Sequence, residues 1–364
     1  MNIGINALIL SEEKTGISVY AKNLIENLLQ TDVSNHYYIF VSRKIFFRNF
    51  HPQRHHIIQF YTRNPFFRMI IEQFLLPFLA KCLHIHVLHC LSFTAPIIKT
   101  CKYVVTIHDL AYRIFPDTVS KIKRLYYDFF FPICARKADA VIAVSENTKK
   151  DIIRFFKVKE KKIQVIFLGH NFSFPKEVQK TGMPQEYILF LGAMEPRKNL
   201  LRLIRAYALL KDRIREKLVL IGPRGSAYQD ILYEIQRLHL QQDIVMTGYI
   251  EESLLSSILQ KAKIFIFPSL YEGFGLPLLE AMAHGVPVIT ASNSCLPEVC
   301  KDCAIYINEK DEKNISEAIF FLLQNRSLRE NLKQSGLQRS REFSWEKTAQ
   351  ETLNVYRNMA AKIC

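Results

Sequence analysis

The chain has 364 residues, 49% of them apolar and 23% charged, a composition too apolar for a disordered chain and too varied for a collagenous or low-complexity one. Its length suits two domains, each able to bury its own core. The net charge of +15 lies mostly in the first half: residues 1–170 carry 24 Lys and Arg against 12 Asp and Glu, a balance of +12, and the remainder 25 against 22, or +3.

In chain order, an apolar run predicts a strand over 2–8. No basic stretch precedes it and no small-residue cleavage site follows, so no secretion signal is expected. A helix over 17–29 and strands over 37–41 and 57–60 come next. No acidic residue lies between Asp32 and Glu72, while Arg43, Lys44, Arg48, Arg54, Arg63 and Arg68 sit among Phe46, Phe47, Phe50, Phe60, Tyr61, Phe66 and Phe67. Such a segment suits an anionic surface, either nucleic acid or lipid headgroups. The most apolar region, 64–98, is broken by Arg68, Glu72 and Lys81 and holds no run of the roughly 18 residues that a membrane span needs. Strands over 86–89, 103–107, 140–144 and 163–166 complete the first half.

Around 168–185, Gly169, Pro175, Gly182 and Pro184 interrupt the periodicity and predict a linker. Beyond it, strands over 187–191, 218–221, 243–247, 263–268, 286–290 and 304–307 alternate with helices over 199–210, 228–240, 251–262 and 277–284. Helices over 314–323 and 327–341 follow. This alternation marks a parallel sheet covered by helices. The expected organisation is an α/β chain of two doubly wound Rossmann-like domains, 1–170 and 186–344, joined by a linker over 171–185. Ligands bind at the carboxyl ends of the strands in such sheets, so two facing sheets would make one cleft.

Eight cysteines, at 82, 90, 101, 134, 295, 300, 303 and 364, are scattered as reduced thiols are rather than as a disulfide framework. Cys300 and Cys303 form one CxxC pair, but no second CxxC or HxxxH supplies the other ligands of a zinc site. No metal or other cofactor is expected. Neither GxGxxG nor a Walker A lysine motif occurs, which removes the best support for hydride and ATP chemistry.

The informative stretch is Phe267-Pro-Ser-Leu-Tyr-Glu-Gly-Phe-Gly-Leu-Pro-Leu-Leu-Glu-Ala-Met-Ala-His-Gly-Val-Pro-Val-Ile. It reads as strand, glycine loop and then a helix opening at Pro277 and closing at Gly285. The backbone amides of Phe274, Gly275 and Leu276 would point at an anion, as helix N-termini do at phosphates. Glu272 precedes the helix and Glu280 lies within it. Carboxylates are suited to accept from the hydroxyls of a sugar and a ribose.

These residues resemble the retaining glycosyltransferases of family 4, whose two-Rossmann architecture is termed GT-B. The resemblance rests on the double-glutamate segment, on Phe-Leu-Gly-Ala-Met-Glu-Pro-Arg-Lys-Asn-Leu at 190–200 and on Thr-Ile-His-Asp-Leu at 106–110. Ala-Val-Ser-Glu-Asn-Thr at 143–148 and Glu-Phe-Ser-Trp-Glu-Lys-Thr-Ala at 342–349 add weaker echoes. It implies that Glu272 contacts the donor sugar, that Glu280 binds the ribose and that Lys198, with Arg197, meets the diphosphate. It also implies that His108 lies near the transferred sugar, that Gly16 belongs to a loop reaching the diphosphate or acceptor, and that a helix over 345–364 crosses back onto the first domain. Departures from the family pattern are Gly16 without an adjacent glycine, Ala193 where some relatives have arginine, and Leu168-Gly-His170 in the linker. The missing arginine shifts phosphate binding toward Lys198, and no function is carried onto His170.

The implied activity is metal-free transfer of a hexose from a nucleotide-sugar donor to a lipid-linked or oligosaccharide acceptor. Mannose from GDP-mannose, in O-antigen or similar surface-glycan synthesis, is the first expectation; a UDP-glucose-type or dTDP-rhamnose-type donor is the alternative. Location at the inner face of the cytoplasmic membrane, on an anionic membrane surface, goes with that acceptor. Starch or glycogen synthesis is disfavoured, because a Lys-Thr-Gly-Gly loop is only half present at Lys14-Thr-Gly16. A nucleic-acid-binding protein would explain the basic first half but would leave Glu272 and Glu280 without purpose, so no nucleic-acid partner is expected. A Rossmann oxidoreductase lacks its dinucleotide fingerprint.

Overall fold

The computed structural model describes residues 1–10, 15–62, 64–170 and 182–361. Lys14, Arg63, Pro175, Cys364 and most of the expected linker lie outside the described residues. The chain divides into two compact units. Unit 1 comprises Met1–Ile114, Val119–Gly169 and the segment from Phe343 onward, and unit 2 comprises His170–Glu342 with the short Phe115–Thr118 segment.

Unit 1 is built on seven parallel strands: β1 (Asn2–Ala7), β2 (His36–Val41), β3 (His55–Gln59), β4 (Val87–Cys90), β5 (Lys102–Ile107), β6 (Ala140–Ala143) and β7 (Ile163–Val165), in the order β3-β2-β1-β4-β5-β6-β7. Unit 2 holds six: β8 (Tyr187–Leu191), β9 (Lys217–Ile221), β10 (Ile244–Gly248), β11 (Ile264–Phe267), β12 (Val288–Ala291) and β13 (Ala304–Ile307), in the order β10-β9-β8-β11-β12-β13. The central strands are continuous apolar runs because helices cover both faces of a parallel sheet; β11, Ile-Phe-Ile-Phe, is wholly buried. The strand order reverses between β1 and β4 in unit 1 and between β8 and β11 in unit 2. These switch points open a crevice at the carboxyl ends of the strands.

Three longer helical stretches of unit 1 do not show in the periodicity; Glu146–Asp151, continuing through a π turn over Ile152–Phe156, has no proline, and the other two contain proline. Pro65–Ile70 continues through a π turn, Ile71–Leu75, into Leu76–Cys82. Pro77 in the last of these has no N–H to donate, and the wider turn before it accommodates the break. The Lys121–Lys137 helix contains Pro132.

The final helix, Trp345–Ala360, belongs to unit 1 and packs along the Gly16–Thr31 helix. Ser344 caps it by accepting from Lys347 N–H, and the Thr348 hydroxyl donates to the Phe167 carbonyl at 2.8 Å. Gly169 is needed here, since a Cβ on it would stand 2.1 Å from the Trp345 backbone nitrogen. Deeper in, the Tyr356 hydroxyl meets His89 Nδ1 at 2.6 Å, His89 Nε2 meets the Thr106 hydroxyl at 2.8 Å, and that hydroxyl meets the Tyr20 hydroxyl at 2.9 Å. This buried chain of hydrogen bonds ties the returning helix to β4, β5 and the first helix.

Candidate active site

In unit 2, the loops that leave β8 and β11 flank the switch point, and hydrogen bonds join them. Asn199 Nδ2 donates to the carbonyls of Pro268, at 3.1 Å, and Glu309, at 2.7 Å. Leu270 N–H donates to the Arg197 carbonyl at 2.8 Å. Asn199 can do this because it adopts a left-handed conformation, φ 61°, which asparagine tolerates better than most side chains. Pro196–Lys198 forms a single tight turn just before it.

That turn brings Arg197 and Lys198 onto one carboxylate. Lys198 Nζ lies 2.6 Å from Glu272 Oε1, and Arg197 Nη1 lies 2.9 Å from Oε2. Arg197 is further held by Glu195 through its Nε at 2.9 Å, and Lys198 Nζ sits 4.8 Å from the centre of the Phe267 ring. The backbone of Glu272 is fixed from the loop after β12: its N–H donates to the Ser294 hydroxyl at 3.2 Å, and Cys295 Sγ donates to its carbonyl. Burial opposes the charge of Glu272, but Lys198 and Arg197 outweigh it and hold the carboxyl below its ordinary value. Burial also lowers the pKa of Lys198, against the support of Glu272. Lys198 and Arg197 thus share the buried Glu272, with the more exposed Glu195 on Arg197, so the four side chains balance in charge.

The glycine loop behaves as its sequence suggests. Gly275 caps the Leu276–Ala283 helix at φ 92°, a conformation that costs a residue with a Cβ about 1–2 kcal/mol. As a glycine it brings no side chain to the first turn. Phe274 is buried beside it, Leu276 is half-buried, and Pro277 stands in the first turn. Glu280 lies farther along the same helix, half-buried.

In unit 1, His108 follows β5. Its Nε2 donates to the Leu91 carbonyl at 2.9 Å, just beyond β4, and its ring meets Tyr20 edge-on with centroids 4.7 Å apart. This bond fixes the tautomer with the proton on Nε2 and leaves Nδ1 as the acceptor of the neutral ring. Burial lowers its pKa, against the Leu91 carbonyl and Asp109, and favours that neutral form. Gly16 opens the Gly16–Thr31 helix behind the Thr15 cap, exposed and with nothing within 4 Å of where a Cβ would stand. The protein's own packing therefore does not demand a glycine there.

Unit 2 thus brings Arg197, Lys198 and Glu272 together beside Phe274, Gly275 and Leu276. His108 and Gly16 belong to unit 1. Asn199 and Glu195 stand in the 190–200 motif and Cys295 is one of the eight cysteines, but nothing in the sequence gives them, or Ser294, a role at this site. Cys300 is buried and Cys303 half-buried, and among the described residues no three His, Cys, Asp or Glu side chains gather as a metal site.

Comparison with known proteins agrees with this geometry. Residues 14–174 match the model of Glycosyltransferase Family 4, and residues 172–339 match that of Glycosyl transferases group 1. The O-antigen chain mannosyltransferase B of Escherichia coli is 34% identical over 268 residues, which cover 70% of each chain. The chain belongs to the family 4 glycosyltransferases. The serotype-specific mannosyltransferase WbdA of Escherichia coli is 30% identical over 58% of this glycosyltransferase, which matches only 28% of WbdA's own length. Among solved structures, Anabaena HepE in complex with UDP-glucose superimposes with a TM-score of 0.74 at 15% identity, covering 98% of this chain and 100% of that one. That likeness shows the GT-B fold.

Proposed function

We propose that this glycosyltransferase moves a mannosyl residue from GDP-mannose, with retention of anomeric configuration and without a metal ion. The acceptor is a lipid-linked or oligosaccharide chain of an O-antigen-type surface glycan. The observation that carries this reading is the pairing of Lys198 and Arg197 with Glu272 at the β8/β11 switch point, where a parallel sheet binds its ligand. A diphosphate gathers negative charge as it leaves, and fixed cations in a water-poor site stabilise that charge.

Lys198 and Arg197 meet the diphosphate, together with the backbone amides of Phe274, Gly275 and Leu276. Glu272 faces the donor sugar, and Glu280 accepts from the ribose hydroxyls. In unit 1, neutral His108 serves the transferred sugar and Gly16 lets a ligand approach the helix N-terminus closely. Retention by front-face attack fits this inventory, with the departing diphosphate oxygen taking the acceptor proton. Mannose is favoured over other hexoses by the mannosyltransferase names of the relatives, and HepE supports a nucleotide-sugar donor in general. A lipid-linked acceptor would bring the enzyme to the cytoplasmic face of an anionic membrane.

Thermal stabilisation by a panel of sugar nucleotides tests the donor, because a bound ligand stabilises the fold according to its concentration over its dissociation constant. GDP-mannose is expected to give the largest shift. NMR of the product tests the course. An inverted linkage, or activity abolished by a chelator and restored by one divalent ion, would remove the mechanism.

A further inference from the structure

The charges of Glu195, Arg197, Lys198 and Glu272 balance, so a diphosphate that reaches the two cations has to compete with a carboxylate already there. The two carboxylates differ in how firmly they are held. Glu272 is bound twice, by Lys198 Nζ at 2.6 Å and Arg197 Nη1 at 2.9 Å, and its side chain is 10% exposed. Glu195 is bound once, by Arg197 Nε at 2.9 Å, and its side chain is 37% exposed. A buried carboxylate shared between two cations is far harder to remove than a single half-exposed partner. Glu195 is therefore the group that yields.

The surroundings of Glu195 allow the exchange. Its backbone is fixed, since its N–H donates to the Ala193 carbonyl at 2.8 Å and its own carbonyl accepts from Lys198 N–H at 3.0 Å. Only its side chain needs to turn. Arg197 stays where it is, because Nη1 keeps Glu272 Oε2 and also donates to the Tyr271 carbonyl at 3.3 Å. Its Nε edge is then presented to an incoming phosphate oxygen. On its other side Glu195 lines a cleft of about 230 Å³ with Asn199, Arg202, Arg205 and Asp230. Arg205 is engaged there by Glu234 and Glu312. Arg202 donates to Asn199 Oδ1 at 3.1 Å and has no carboxylate partner among the described residues.

We infer that Glu195 is the exchangeable counter-ion of the donor site: it holds Arg197 Nε until a nucleoside diphosphate displaces it toward Arg202. The inference rests on the reading that Arg197 and Lys198 meet a diphosphate. It bears on product release. The departing nucleoside diphosphate carries more negative charge than the sugar nucleotide did, so it grips the cations more strongly, and a carboxylate competing for Arg197 opposes that grip. A nucleoside monophosphate brings a single phosphate group, which Lys198 and the amides at the start of the Leu276–Ala283 helix can hold without displacing Glu195.

Titration calorimetry of the full chain with GDP, GMP and inorganic pyrophosphate tests the inference on Glu195→Gln, Arg202→Gln and the double variant. Glu186→Gln, which removes the partner of Lys263 at the amino end of β8, controls for the change in net charge. Glu195→Gln is expected to bind GDP and pyrophosphate about fivefold to tenfold more tightly, through loss of one half-exposed ion pair and of like-charge repulsion. Its GMP affinity should match wild type, and the gain for GDP should shrink at about 0.5 M salt. Arg202→Gln should weaken GDP binding about twofold to threefold alone and not at all beside Glu195→Gln. In turnover, GDP should inhibit Glu195→Gln more strongly than wild type by the factor that calorimetry gives. Unchanged or weaker GDP binding by Glu195→Gln would overturn the inference, as would an equal gain for GMP or an equal gain in Glu186→Gln. So would an Arg202→Gln effect that persists undiminished in the double variant. A pyrophosphate gain in a protein that binds no sugar nucleotide would uphold the exchange and remove the proposed donor, whereas sugar-nucleotide binding without a gain in Glu195→Gln would remove the exchange alone.

Discussion

Replacing Glu272 by Gln removes one charge while keeping the size of the side chain, and its consequences follow from the two cations it holds. Lys198 has 7% of its side chain exposed and Arg197 19%. Removing one partner of a buried ion pair costs about 3–5 kcal/mol. Arg197 keeps Glu195 and some solvent, whereas Lys198 keeps chiefly the Phe267 ring, so a loss of about 2–4 kcal/mol is expected. For a unit of this size each kcal/mol shifts Tm by about 2–4 °C, which gives a fall of roughly 5–15 °C. A bound diphosphate supplies the missing negative charge, so saturating GDP should raise Tm more in Glu272→Gln than in wild type. Turnover should fall about 100- to 1000-fold, as for loss of a preorganised electrostatic group, while GDP affinity holds or rises. The pH dependence has a definite sign. Because the carboxyl is held below its ordinary 4.5, its contribution to stability is complete above that value and is lost as pH falls through the depressed one. Calorimetric melts with and without GDP, alongside steady-state kinetics, decide the matter. A wild-type Tm, an unchanged GDP increment and near-normal turnover together would show that the carboxylate serves neither stability nor catalysis and that the cations are not the anion site.

Lys198→Ala should reduce both GDP affinity and kcat, since the diphosphate is present in the ground state and gains charge in the transition state; unchanged affinity by titration calorimetry would refute its role. Glu280→Ala should weaken GDP binding by about 1.5–3 kcal/mol, the range for hydrogen bonds to a charged group, with kcat nearly unchanged; a fall in kcat alone would assign it elsewhere. Burial, with His108 adding, pulls the pKa of His89 down to about 3, so the native state stays unprotonated where the unfolded chain takes a proton. Stability should then fall as pH drops from about 6.5 toward 3, by up to about 1.4 kcal/mol per pH unit. Urea midpoints of His89→Gln, which does not titrate, should fall less steeply over that range, and parallel slopes would refute the assignment.

Much of this protein was legible in its sequence because the signals were local. All thirteen strands coincide with segments that the sequence marks, within a residue or two at their ends, and the strands buried on both faces, such as β11, stand out because they are apolar along their length. Gly275 and Pro277 announced the loop and the helix start through backbone preference alone, and the Trp345–Ala360 helix showed in its periodicity. The proline-bearing helices were not legible, because Pro77 and Pro132 argue against a helix wherever only the local pattern is considered. The meeting of Lys198 with Glu272, 74 residues apart, depends on β8 and β11 being neighbours, and strand order is a property of the whole sheet. His108 could be singled out by its motif, but its tautomer is set by the Leu91 carbonyl beyond a neighbouring strand. Apolar residues such as Phe74 and Leu125 read as core in any sequence, and only the packing of their helices turned them outward. Residue chemistry and periodicity fixed the elements and the reacting groups, whereas burial and long-range pairing, which no local window contains, decided which groups meet and which face the solvent.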